Sequence, residues 1–311
     1  MSVKVVALGG GHGLAATLSS LRAVTDQITA IVTVADNGGS SGRLREEFNS
    51  LPPGDLRMAL AALCGDDDWG RNWADILQYR FTSSGEMSGH AVGNLLLTAL
   101  WDRDGDPVAG VAKVGELLRI VGKVLPMATD PLDIEGTFIS SGVEKIVRGQ
   151  VEVATTRGKV KSLKLIPDNP RATPQALEAI AQADWITIGP GSWFSSVMPH
   201  FLLKEQADAI AQSSAKKVMI FNLPEAVSEG EFAGIGPSEH LEFVLAHAPN
   251  LKIDIALADP EIVKSPESRQ KLEDLVAKCG GRLEIVDLSI KPGASAHDVG
   301  KMSSFFAHIF P

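Results

Sequence analysis

Val32-Thr33-Val34-Ala35-Asp36-Asn37-Gly38-Gly39-Ser40-Ser41-Gly42-Arg43-Leu44-Arg45 decides how this chain folds. Its apolar start ends a run from Ile28 to Ala35 that reads as a buried strand. Its centre is a glycine-rich loop and its end opens a helical pattern. Roughly one βαβ unit upstream, Val3 to Leu8 is a second apolar run, and it leads into Gly9-Gly10-Gly11-His12-Gly13. Two such loops leaving neighbouring parallel strands open on one edge of a sheet. Their unpaired N–H groups lie at helix N-termini, where anionic ligands bind. The pattern predicts a fold that holds a phosphorylated ligand.

The same rhythm runs outward along the chain. Helical patterns fall at 14–24, 54–64, 72–81, 91–101 and 107–120, as a parallel sheet covered by helices requires. Between about 126 and 166 it changes. Ile146 through Ala154 and Val160 through Ile166 read as strands joined at Thr155-Thr156-Arg157-Gly158, an antiparallel hairpin. Thr173-Pro174 then marks a helix start. Strands are expected at 184–188, 217–222, 252–258 and 283–288, with helices near 199–213, 238–247, 267–279 and 296–308. The expected fold is α/β: one three-layer, Rossmann-like domain over 1–311, with a mostly parallel sheet and the hairpin as an insertion.

Composition narrows the function. The chain has 311 residues, 44% hydrophobic and 22% charged, with a formal charge of −9. It lacks the basic footprint of a nucleic-acid binder, so no nucleic-acid partner is expected. No apolar run reaches the ~20 residues of a membrane span. Met1-Ser2-Val3-Lys4 runs directly into a strand, unlike a secretory leader. Two cysteines, Cys64 and Cys279, sit in apolar helical patterns and argue against a disulfide framework or zinc site. These features point to the cytoplasm. A homodimer is the default expectation for such a protein.

The loops carry the candidate chemistry. Gly10, Gly11 and Gly13 permit close backbone approach to a phosphate, with His12 as a donor; alternatively they form a tight turn. Leu14 stands where the dinucleotide fingerprint needs its third glycine, against a nicotinamide cofactor. Asp36 follows its strand where an acidic group accepts from a ribose hydroxyl. Gly38, Gly39, Ser40 and Ser41 can cup a phosphate that Arg43 or Arg45 neutralises. Arg45 could instead pair with Glu46 or Glu47. Asp55, followed by Arg57, opens a helix after Pro52-Pro53-Gly54 and is either a cap or a ligand or Mg²⁺ contact. His90 and Asn94 share a helical face. Gly93 beside them costs about 1 kcal/mol relative to alanine, which close packing or ligand approach would explain. Gly189-Pro190-Gly191-Ser192 ends another strand. Phe194 replaces the second glycine of a nucleophile elbow, so Ser192 reads as ligand-binding rather than catalytic. Asn222 either lines the same cleft or forms a turn. Asp36 and Asp55 are the only metal candidates, and no cluster with metal-ligand spacing is present.

Taken together, the segments Gly9–Leu14, Val32–Arg45, Pro52–Arg57, Gly89-His90 with Gly93-Asn94-Leu95, and Gly189–Ser192 resemble the CofD-like superfamily. More closely, the chain is similar to its YvcK-type branch, the gluconeogenesis factors. The resemblance runs nearly the whole length, and His12 with Lys291-Pro292-Gly293 and His297-Asp298 looks like the actinobacterial form. It implies a Rossmann-like cleft for a nucleotide-linked ligand, here a UDP-sugar such as UDP-N-acetylglucosamine. It also implies a cytoplasmic role in cell shape and peptidoglycan synthesis during gluconeogenic growth, with cell-wall synthesis proteins as candidate partners. A more distant branch is 2-phospho-L-lactate transferase, whose loops lack the Gly-Gly-Ser-Ser-Gly-Arg run. Two departures stand out. Asn37 replaces the family's usual second aspartate, and Glu229-Gly230-Glu231-Phe232 replaces its Pro-Gly-Glu-Thr segment. The leading expectation is a UDP-sugar-binding regulator. The alternative is a Mg²⁺-dependent transferase using a nucleotide-diphosphate donor.

Overall fold

Val5–Gly9 (β1) and Ile28–Val32 (β2) lie parallel, Val5 opposite Ile28 and Gly9 opposite Val32. Both are short, uncharged and rich in branched residues, as strands buried on both faces must be. This computed structural model describes residues 2–140, 142–224 and 235–311. The replaced segment at 229–232 lies outside the described residues.

Helix α1 (Gly11–Leu21) links the two strands. After β2 come α2 (Gly39–Phe48), α3 (Gly54–Ala62), α4 (Asp68–Gln78), α5 (Val92–Asp104), α6 (Pro107–Leu118) and β3 (Lys123–Pro126). An antiparallel section follows: β4 (Asp133–Ser140), β5 (Val143–Arg148), α7 (Gln150–Thr155) and β6 (Lys159–Ile166). The parallel rhythm then resumes with α8 (Pro174–Gln182), β7 (Trp185–Ile188), α9 (Pro199–Leu202), α10 (Lys204–Gln212) and β8 (Lys216–Ile220). It closes with α11 (Pro237–His247), β9 (Ile255–Ala258), α12 (Pro266–Lys278), β10 (Arg282–Ile285) and α13 (Val299–Ile309).

The main sheet runs β10-β9-β8-β7-β1-β2-β3, and its pairings are parallel. Chain order therefore reverses between β1 and β7. In open α/β sheets the crevice at such a reversal, beyond the strands' C-terminal ends, is where ligands bind. Helix α1 packs on α3 and α13. Leu14 and Leu18 of α1 join Leu8, Ile31, Leu56 and Leu60 in a fully buried core. Each such side chain contributes about 1.5–3 kcal/mol of burial, so the loops rest on a rigid base.

The antiparallel section departs from the expected hairpin. β4 lies between β5 and β6 and pairs with both, so β5 and β6 do not touch. The segment read as a strand through 151–154 is instead helix α7. Gly149, at φ +108°, turns the chain out of β5. Asn37 of the second glycine loop then holds the new helix. The Val151 amide donates to Asn37 Oδ1 at 3.0 Å, and Asn37 Nδ2 donates to Glu152 Oε2 at 2.8 Å. The helix expected over 199–213 is likewise two pieces, broken at Leu203.

Among the described residues, no helix is long and apolar enough to cross a membrane.

Candidate functional site

The loops after β1 and β2 meet at the start of α3. From the first loop, the Gly11 amide hydrogen-bonds the Asp55 carboxylate, which Thr33 Oγ1 also approaches at 3.4 Å. From the second, Ser41 Oγ accepts the Gly54 amide at 3.0 Å. Adjacent residues of α3 thus tie both loops to one point.

Several main-chain amides there are already occupied. Gly11 serves Asp55, Gly38 donates to Asp36 Oδ1 at 2.8 Å, and Gly42 donates to the Gly38 carbonyl at 2.9 Å. Helix geometry leaves the rest of each first turn without an intrahelical acceptor. On α1, where the Leu14 amide returns to the Gly10 carbonyl, these are the amides of His12 and Gly13. On α2 they are the amides of Gly39, Ser40 and Ser41. Gly39 holds φ +49°, with nothing within 4 Å of where a Cβ would stand, so its glycine serves the turn and keeps the space above it open.

Asp36 lies near enough to Asp55 for its charge to act on that carboxyl. Asp55 keeps a partly exposed edge, yet the surrounding protein, and then the Asp36 charge, push its carboxyl up to about 7. Thr33, the Gly11 amide and Arg57 pull the other way. Among the described residues no group of three metal-ligating side chains occurs. Mg²⁺, however, is commonly held by one or two carboxylates with phosphate oxygens completing its shell. The Asp36–Asp55 pair fits that donor set.

Ser40, His90 and Asn94 form a buried interlock between α2 and α5. Asn94 Nδ2 donates to Ser40 Oγ at 2.9 Å, and Ser40 Oγ shares a hydrogen bond with His90 Nδ1 at 3.0 Å. Burial, then the Arg43 charge, lower the His90 pKa. Bonded to Ser40, the ring braces the helix start. Gly93 is explained by packing: a Cβ there would fall 2.7 Å from Arg57 Cγ and from Leu77 Cδ2. Arg57 itself is 3% exposed and donates to Gln78 Oε1.

The two basic candidates of the second loop are both engaged. Arg43 donates to the carbonyls of Glu86 and Ser88 at 2.7 Å each. Arg45 pairs with neither Glu46 nor Glu47; its Nη2 lies 2.6 Å from Asp133 Oδ1 of β4, and Arg148 binds the same carboxylate. A cleft of about 690 Å³ opens beside α2, lined by Asn37, Gly39, Gly42, Arg45 and Asp133 among others.

The loop after β7 is built differently. Asn222 clamps Gly191 at both ends, accepting its amide at 2.8 Å and donating to its carbonyl at 2.7 Å. Ser192 Oγ caps the π-helical turn 193–197 by accepting the Ser195 amide at 3.2 Å. Gly13 packs directly on this loop: a Cβ there would fall 2.9 Å from Gly191 Cα and closer still to the Pro190 carbonyl. Ser192 and Asn222 therefore shape the wall of the crevice, their polar groups already paired.

Three supporting residues escaped the sequence reading. Thr33 was visible as a polar residue ending an apolar run. Asp133 and His200 gave no local signal, because their partners lie far away in the chain. His200, fully enclosed and with its pKa pushed down to about 4 by burial, lies with Nε2 3.4 Å from the Gly9 carbonyl.

This arrangement defines the class: a Rossmann-like α/β protein with its loops gathered where strand order reverses. The family model described as 2-phospho-L-lactate transferase CofD matches residues 5–280, and the chain belongs to that family. A Mycobacterium tuberculosis relative is 45% identical over 310 residues, spanning 98% of this chain and 89% of that protein. The gluconeogenesis factor of Listeria innocua is 34% identical over 316 residues, covering 99% and 96%. A crystal structure of a UPF0052-family protein from Bacillus halodurans superposes with a TM-score of 0.86 at 33% identity, covering 98% of each chain.

Proposed function

We propose that the chain is one domain, with the small sheet as an excursion, and that it is a cytoplasmic regulator binding a UDP-sugar such as UDP-N-acetylglucosamine. In this reading it relays precursor supply to cell-wall synthesis proteins, and so to cell shape, under gluconeogenic growth. The observation that carries it is the convergence of two helix starts on Gly54-Asp55, with the amides of His12, Gly13, Gly39, Ser40 and Ser41 free of intrahelical bonds. Those amides would hold the diphosphate. Asp36 would take the ribose or base, and the His90–Asn94 side would border the sugar. The gluconeogenesis factors among its relatives support the biological context.

Asp36 and Asp55 place two carboxylates beside that anion site. A diphosphate arriving alone would meet like charge, and a bound Mg²⁺ would offset it. The chain's own part is to hold the two carboxylates and the amides in fixed positions. Isothermal titration with UDP-N-acetylglucosamine, with and without Mg²⁺, tests the reading; UDP and GDP are the comparators. Micromolar binding that strengthens with Mg²⁺ is expected. Absence of heat at millimolar ligand would overturn it.

The carboxylate pair also favours a second reading, a Mg²⁺-dependent transferase acting on a nucleotide-diphosphate donor. Product formation from such a donor, abolished by Asp55→Asn, would put it ahead of the first.

A further inference from the structure

We propose that this chain forms a two-fold dimer through the edge of β5 that is unpaired among the described residues, centred on Ile146. β5 is the outer strand of the order β5-β4-β6. The Gly149 amide donates to the Ile134 carbonyl at 2.8 Å, which fixes the phase of the ladder. Bonded residues alternate in an antiparallel pair. Val143, Lys145 and Val147 therefore direct their main-chain groups to β4. Glu144, Ile146 and Arg148 direct theirs outward. These three also share the outer face, on which Ile146 is 66% exposed.

The sequence of this edge complements itself. With the axis at Ile146, that residue opposes its own copy, and Glu144 opposes Arg148 of the second copy at both ends. About six main-chain hydrogen bonds close the seam, two per bonded pair. Other centres are penalised: at Glu144 two glutamates meet, at Lys145 two lysines, at Arg148 two arginines. Opposite charges directly across strands stabilise by about 0.2–1 kcal/mol each, and like charges destabilise. The charges along this edge thus reject three of its six centres and favour Ile146, the one at which opposite charges meet across the seam. Present partners do not prevent it. Glu144 pairs with Lys161, both about half exposed, a contact of little energetic weight in water. Arg148 uses Nε and Nη2 on Asp133, leaving Nη1 outside that contact.

A six-residue edge is small beside the ~800 Å² per partner of a standard interface, so the expected dissociation constant is on the order of tens of micromolar or weaker. Sedimentation equilibrium of the full chain from low micromolar to millimolar concentration tests it. A reversible monomer–dimer equilibrium is expected. Ile146→Lys sets two ammonium groups face to face, and Glu144→Lys sets lysine against Arg148; each should raise the dissociation constant at least tenfold with an unchanged melting curve. Oxidised Ile146→Cys should form a covalent dimer faster than Leu117→Cys, an exposed site on α6. A monomer throughout the range, a dimer indifferent to both lysine variants, or equal oxidation rates for the two cysteines would each overturn the proposal.

Discussion

The loops after β1 and β7 face each other across the reversal of strand order, and both are rich in glycine, yet they are built for opposite purposes. The β1 loop leaves the amides of His12 and Gly13 without helical partners. In the β7 loop the Gly191 peptide groups and the Ser192 hydroxyl are taken: Asn222 holds both ends of Gly191, and Ser192 caps the turn that follows. One is a cradle and the other a wall. Glycine content alone does not distinguish them; what matters is whether the protein supplies the partner.

The largest test of this contrast is Gly13→Ala, which drives a methyl group into Pro190 and Gly191. Overpacking there should lower stability by about 3 kcal/mol in urea denaturation and abolish ligand binding. Next, Asn222→Ala strips Gly191 of both partners. Stability should fall by about 1–3 kcal/mol, while ligand affinity in calorimetry changes less than about threefold. A collapse of affinity would move the β7 loop into the cradle.

Asp55→Asn should act oppositely on stability and binding. The Asp55 carboxyl titrates near 7 when folded and near 3.8 in its ordinary state, so the folded chain binds the extra proton between those values. Stability of the wild type therefore declines as pH rises from about 4 to about 7. The variant should be more stable by about 1–2 kcal/mol at pH 8, a discounted figure because the carboxyl keeps an exposed edge, and equal near pH 4. Thermal melts across that range measure it, and weaker ligand binding should accompany the gain.

The smallest effect concerns Asn37. Asn37→Asp would turn the Nδ2 donor toward Glu152 into a facing carboxylate. A loss of about 0.5–1 kcal/mol is expected, recovered when Glu152→Gln is added, in a double-mutant cycle of melting temperatures. An amide at position 37 thus suits the carboxylate of Glu152 across from it.

Much of the fold was legible because β1, β2, β7 and β9 carry uncharged apolar runs, β8 ends in Val218-Met219-Ile220, and Gly9–Gly13 and Gly38–Gly42 punctuate the first two. Residues 151–154 misled because Val-Glu-Val-Ala alternates like a strand, and one helical turn has too little sequence to show its own period. Asn37, more than a hundred residues earlier, holds the first turn of that helix. β3 was hidden because only Val124 and Leu125 mark it. In the site, the glycines and Asp36 and Asp55 were visible locally. That Arg45 belongs to Asp133, or that Asn222 belongs to Gly191, depends on which distant segments the sheet brings together.

Asp133 has a wider consequence. It joins Arg45 of α2 to Arg148 of β5, and hydrogen bonds from Arg148 with the charge of Arg45 keep its carboxyl below the ordinary range despite burial. Excising residues 133–166 to obtain a leaner scaffold would leave the Arg45 guanidinium, its side chain 16% exposed, without a counter-ion beside the second loop. Any minimal version of this protein must graft a replacement anion at that spot before its α2 will dock as it does here.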